Sequence, residues 1–147
     1  MKSIMYHYIR NRNELFPNYN ILEKKDYTLQ IKKFSEKGLI SSYEQLFISS
    51  NKFLPTFDDG LKDHIFAAEV LSKHNSIGIF FIPTSPVKNN IILDVHKVHL
   101  ILGKVKSSEA LSELEKYLHK NKIFKFYNNN EKFKYKSAYN KHLEEDD

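Results

Sequence analysis

The tightest constraint on the fold is an alternation of short apolar runs with segments of helical spacing. Ser3 to Ile9 reads as a buried strand, rich in Ile, Met and Tyr. After a polar loop containing Pro17, the spacing of Tyr27, Ile31 and Phe34 predicts a helix from Asp26 to Lys37. Asp26 is its candidate N-cap, and Gly38 stands just past its end. Ser41 with Glu44 three residues on reads as a capping box that starts a short helix through Phe47. Phe53 to Phe57 is a second strand, Leu61 to His74 the helix after it, and Ile77 to Ile82 a third strand. The last run is continuously apolar, as expected of a strand covered on both faces. Strand, helix, strand, helix, strand is the signature of an α/β fold with a parallel sheet.

The second half lacks that alternation. Pro83 to Asn90 reads as a loop. Asp94 is placed to cap a helix with Ile91, Val95, Val98 and Leu102 on one face and Gly103 at its end. Ser107 or Ser108 then caps another, striped by Leu111, Leu114 and Leu118. Lys122 to Tyr127 suits either a strand or a third helix. Beyond it Phe133 and Tyr135 are the main anchors, and the acidic run to Asp147 reads as frayed. At 147 residues the chain is expected to form a single domain, with a β/α part over 1–90 and a mostly helical extension over 91–147.

Composition removes several functions. There are no cysteines, so a disulfide framework and a thiolate metal site are both excluded, and any metal must use carboxylate and imidazole. The net charge of +5 permits loose association with anions. The lysines are scattered, however, and no stripe or motif for nucleic acid emerges. The opening residues form too short an apolar run for a signal peptide, and no run is long enough to span a membrane. A soluble, cytoplasmic protein is the expectation.

Chemistry concentrates at Asp58-Asp59-Gly60, where two carboxylates end an apolar extended segment and a glycine follows. Three readings compete. Asp-Gly between apolar runs signals a hairpin turn, but a helical pattern follows instead of a strand. Asp59 could serve only as the N-cap of that helix. Alternatively, the acids stand at the carboxyl end of a core strand, where α/β folds hold catalytic groups. Side chains of consecutive strand residues point to opposite faces, so both can serve one pocket only where the strand ends and turns. Gly60 allows that turn.

The run Thr56-Phe57-Asp58-Asp59-Gly60 resembles the first motif of the polysaccharide deacetylase family, the NodB-type carbohydrate esterases. Met5-Tyr6-His7-Tyr8-Ile9 is similar to that family's opening strand, and Gly78-Ile79-Phe80-Phe81-Ile82-Pro83 to the strand after its first helix. Leu61 to His64 and Leu93 to His99 resemble members linked to surface-glycan biosynthesis. The resemblance spans roughly residues 4 to 103. It implies a partial NodB-type (β/α) barrel and metal-dependent removal of N-acetyl groups from sugars. Asp58 would be the catalytic base and Asp59 the first ligand of a divalent metal, with zinc the expected ion.

The rest of the implied apparatus is thin. The family's second motif supplies two histidines at i and i+4, whereas this chain offers His96 and His99 at i and i+3, with Lys97 where a small hydroxyl residue belongs. On a helix both rings still share a face. They read either as ligands beside Asp59 or as partly exposed residues of an amphipathic helix. His7 is placed to point toward the pocket or to serve the core. His64 could line its mouth or bond Asp63 or a loop carbonyl. His74, His119 and His142 sit in surface contexts, and Phe80 and Phe81 read as strand core. The family's later motifs, including its Asp-Trp segment and its Leu-x-His acid, have no counterpart, and the chain has no tryptophan. The expectation is an amino-terminal portion, weakly active or inactive alone, partnered by a homo-oligomer or a second polypeptide that completes the barrel. The alternative is a non-catalytic domain that keeps the fold to bind a glycan or a protein.

Overall fold

The computed structural model describes residues 1–121. Among them the chain is α/β, with three parallel strands in an open sheet and six helices. Two compact units are present, Met1–Lys106 and Ser107–Asp147. The first holds the sheet, built from β1 (Lys2–Tyr6), β2 (Phe53–Phe57) and β3 (Ile79–Phe80) in the order β1-β2-β3. Parallel neighbours need a crossover between them. Helices α1 (Lys24–Lys37) and α2 (Gln45–Ile48) lie between β1 and β2, and α3 (Asp63–Lys73) between β2 and β3. Helices α4 (Thr84–Asn89) and α5 (Asp94–Lys104) complete this unit. The second unit contributes α6 (Ser107–Lys120), whose exposed surface carries a Lys116–Glu113 pair at 2.6 Å.

The register runs from Lys2 opposite Phe53 to Tyr6 opposite Phe57, and β3 joins only at Thr56 and Phe57. A proline in a central strand lacks one ladder donor. Asp58 donates its N–H to Tyr6 O, so by the two-residue alternation the missing N–H of Pro55 faces the other side of β2. Pairing with β3 has not begun at that level, so the proline leaves no rung broken.

An aromatic stack forms the centre of the core. Phe57 is fully buried, stacks on Phe80 at 4.5 Å between centroids and lies 5.6 Å from the Tyr6 ring. Tyr6 meets Tyr27 of α1 edge-on at 5.1 Å, and the buried Tyr27 hydroxyl donates to Ala67 O of α3. The helices on either side of β2 are therefore joined through one satisfied polar contact.

Several local expectations need correction. β1 ends at Tyr6, because the chain beyond it turns to pair Ile9 with Leu22. α1 starts two residues earlier than expected, after Glu23, and Asp26 lies in its first turn, where an acid suits the helix dipole without capping. The Ser41/Glu44 capping box does not form: the Gln45 side chain accepts from Ser41 N–H instead. Pro83 to Asn90 contains the short α4, which Pro83 precedes as N-cap. Asp94 caps nothing, because its carboxylate is taken by Lys97 at 2.8 Å. Gly103 lies inside α5, where a Cβ would come within 3.0 Å of the Tyr19 side chain, so it serves a close approach rather than a stop. β3 is short and only half-buried, because among the described residues it is an edge of the sheet and Phe81 is already exposed. The readings for Lys122 to Tyr127, Phe133, Tyr135 and His142 lie outside the described residues.

Candidate functional site

β2 brings the two acids to the carboxyl edge of the sheet. Asp58 donates its N–H to Tyr6 O at 3.3 Å, the last rung, and the chain then turns. Asp59 and Gly60 both adopt left-handed backbone, with φ of 77° and 59°. Aspartate tolerates this region better than most residues. At Gly60 a Cβ would lie 3.0 Å from Ile82 Cγ2. β2 and β3 are parallel and α3 starts after Lys62, so Asp59 sits neither in a hairpin nor at an N-cap. The left-handed pair turns the chain so that each carboxylate meets its own imidazole. Asp58 Oδ2 lies 3.8 Å from His7 Nε2, and Asp59 Oδ2 lies 4.0 Å from His96 Nε2. Neither acid points into bulk solvent: their side chains are 32% and 22% exposed.

Tyr8, just past β1, organises the other half of the site. Its hydroxyl lies 2.6 Å from His96 Nδ1 and 2.9 Å from His99 Nδ1, and its ring meets both imidazoles edge-on. The i, i+3 spacing on α5 therefore brings both rings to the site instead of leaving them on a solvated face. Burial is the main reason the Tyr8 phenol titrates well above its ordinary range. The hydroxyl of Tyr19 and the charge of Asp59 add to the effect, and Arg10 opposes it. The Arg10 guanidinium sits 4.9 Å above the Tyr8 ring.

The first turn of α3 holds this segment in place. Asp63 Oδ2 accepts from the Ile9 N–H at 3.2 Å and from Arg10 Nε at 2.6 Å. His64 is buried between Phe57 and Phe80, and its Nε2 lies 2.9 Å from the His7 carbonyl. A carbonyl can only accept, so Nε2 carries the His64 proton. The other nitrogen, Nδ1, is buried without a partner among the described residues. His64 thus takes the loop-carbonyl role and not the pocket-mouth one.

A cavity of about 750 Å³ borders β1 and α5 and is lined by His7, Tyr8, Tyr19, Gln30 and His99 among others. Neither acid is among the residues that line it. Asp59 Oδ2 and His96 Nε2, at 4.0 Å, stand wider apart than the roughly 3.3 Å that separates two donors on one tetrahedral zinc. A three-donor shell does not form: among the described residues no group of three or more His, Asp or Glu could hold a metal ion. His99 is turned toward Tyr8, which occupies its Nδ1.

No family model matches the chain, and no curated protein matches it. One solved structure, provisionally described as a polysaccharide deacetylase from Bacillus anthracis, is similar over 54% of this chain, at 22% identity and a TM-score of 0.42. The chain spans 27% of that protein. A likeness at this level decides neither fold nor chemistry, which rest on the geometry above. No described helix is long and apolar enough to cross a membrane.

Sequence reasoning found Asp58 and Asp59 by their place at a strand end, and it weighed His7, His64, His96 and His99. It missed Tyr8, Arg10 and Asp63 as parts of the site. The only signal for Tyr8 was its position just past a strand that neighbours the acids.

Proposed function

We propose that this chain is a hydrolase-like unit of the deacetylase type, acting on an N-acetylated sugar. The observation that carries the reading is the pair of acid–imidazole contacts at the carboxyl end of the central strand. Amide hydrolysis needs a base to take a proton from water as the water oxygen attacks the carbonyl carbon. Asp58 is that base, held beside His7. Asp59 is the group that would hold a divalent cation, zinc by the chemistry of carboxylate and imidazole. Its one companion donor among the described residues is His96, so no catalytic step is assigned to the ion. The incomplete shell agrees with slow turnover by the isolated chain.

The test is acetate release from chito-oligosaccharides by the purified protein and by Asp58→Asn. Slow release that disappears in the variant supports the reading. Equal release in both proteins defeats it, and brisk turnover with stoichiometric zinc defeats the incomplete-site part.

A second reading, in which the fold serves to bind a partner, is favoured by a different observation. Among the described residues β3 is an edge of the sheet, and Phe81, Ile82, Val87 and Ile92 beyond it are 55%, 62%, 77% and 60% exposed. Such a surface suits a second polypeptide or a second copy of this chain. Light scattering that gives a strict monomer at all concentrations removes the second copy.

A further inference from the structure

Helix α5 turns its polar side toward the body of its own unit. His96 and His99 meet Tyr8 there, and Gly103 is buried against the Tyr19 side chain. At about 100° per residue, Val98 and Ile101 lie across the helix from that side, in an apolar arc that begins at Val95. An amphipathic surface helix ordinarily packs its apolar stripe inward. Here Val95, Val98 and Ile101 are 45%, 50% and 55% exposed, and Ile91 and Ile92, just before the helix, are 49% and 60% exposed. A run of exposed aliphatic side chains of this extent marks a surface that meets a partner.

Charge selects the partner. Between Phe81 and Lys106 the chain carries four exposed lysines, Lys88, Lys97, Lys104 and Lys106, and Asp94 is the lone acid. Lys97 already pairs with Asp94 at 2.8 Å. A second copy of this face would therefore bring three more lysines and no unpaired acid to meet them. Protein interfaces are anchored by Trp, Tyr or Arg, and the arc on α5 has only aliphatic side chains. Aliphatic residues edged by lysines match a lipid surface, where the acyl boundary takes the first and anionic headgroups the second. With 11 residues, α5 has about half the length needed to cross the hydrocarbon core, so it fits the plane of the interface.

We propose that the outer face of α5 docks the chain reversibly on an anionic lipid surface, with Val98 and Ile101 in the acyl boundary and Lys104 and Lys106 at the headgroups. Because His96 and His99 lie on the other side of the helix, docking leaves the acid–imidazole contacts facing away from the lipid. The inference rests on α5 and stands independently of the deacetylase reading, which acetate release judges.

The experiment is co-sedimentation of the full chain with phosphatidylcholine vesicles and with mixed phosphatidylcholine–phosphatidylserine vesicles at physiological salt. Binding to the anionic vesicles should be tighter than to the neutral ones by about tenfold or more. Each lysine at such a surface contributes about fivefold, so Lys104→Gln with Lys106→Gln should weaken binding about 25-fold. Ile101→Asp, on the side away from the unit, should weaken it about tenfold or more. Lys32→Gln with Lys33→Gln makes the same charge change on exposed positions of α1 and should leave binding unaltered. Absence of binding to the anionic vesicles overturns the proposal. Equal weakening by the two lysine pairs also overturns it, because the attraction would then be one of net charge. A dimer in sedimentation velocity that Ile101→Asp dissociates would place a second copy on this face and overturn it as well. If Ile101→Asp does not fold by circular dichroism, the two lysine pairs decide alone.

Discussion

Asp63→Ala isolates the contact that fixes the Tyr8 segment to α3. In the native chain Asp63 Oδ2 accepts two bonds, from the Ile9 N–H at 3.2 Å and from Arg10 Nε at 2.6 Å. The two lost bonds differ in weight. Ile9 is fully buried, so removing its acceptor leaves a backbone donor away from water, which costs about 1–3 kcal/mol. The Arg10 side chain is 34% exposed, so solvent screens the ion pair, which contributes only about 0–1 kcal/mol. Asp63→Ala should therefore destabilise by about 2–3 kcal/mol. Arg10→Ala, which leaves the Ile9 bond intact, should lose about 0–1 kcal/mol from the ion pair. Urea denaturation of both variants separates the two terms. With a slope of about 1–3 kcal/mol per molar, the Asp63→Ala midpoint should fall by about 1 M, and the Arg10→Ala midpoint by less than half of that. Equal shifts in the two variants would refute the reasoning, because they would place the energy in the ion pair.

Two further outcomes follow from the same geometry. Gly60→Ala forces a Cβ onto left-handed backbone at φ 59° and to within 3.0 Å of Ile82 Cγ2, and should cost about 1–2 kcal/mol in thermal or urea unfolding. Adding Ile82→Ala removes the contact but not the backbone term, so full recovery in the double variant would contradict that division. Alkaline stability should fall, because burial pushes Tyr6 up to about 12 and also raises Tyr8 and Tyr27. Between the ordinary phenol value of about 10 and those raised values, the unfolded chain binds fewer protons than the native one. The tyrosine contribution is thus complete below about pH 10 and is lost as the pH rises through about 12. Urea midpoints that stay flat over that window would count against it.

The sequence by itself determined the parallel α/β sheet and the place of the acids. Period and spacing are local: alternating strand and helix signals require parallel neighbours, and a carboxylate pair that ends an apolar run is marked by its own neighbours. Phe53–Phe57 was legible to the residue for that reason. Local signals failed where one residue type fits two nearby roles, and again where the partner is distant in the chain. Asp94 and Asp26 look like caps, but Lys97 takes the first and the second lies inside its helix's first turn. Gly103 looks like a stop, and only the approach of Tyr19, from a loop far earlier in the chain, explains it. The site divides in the same way. Asp58 and Asp59 could be read off directly, whereas the convergence of Tyr8, His96 and His99 depends on contacts between residues separated by 88 and 91 positions. No periodicity encodes a contact at that separation. It arises when α5 packs against the segment beyond β1, which is a property of the folded core and its geometry.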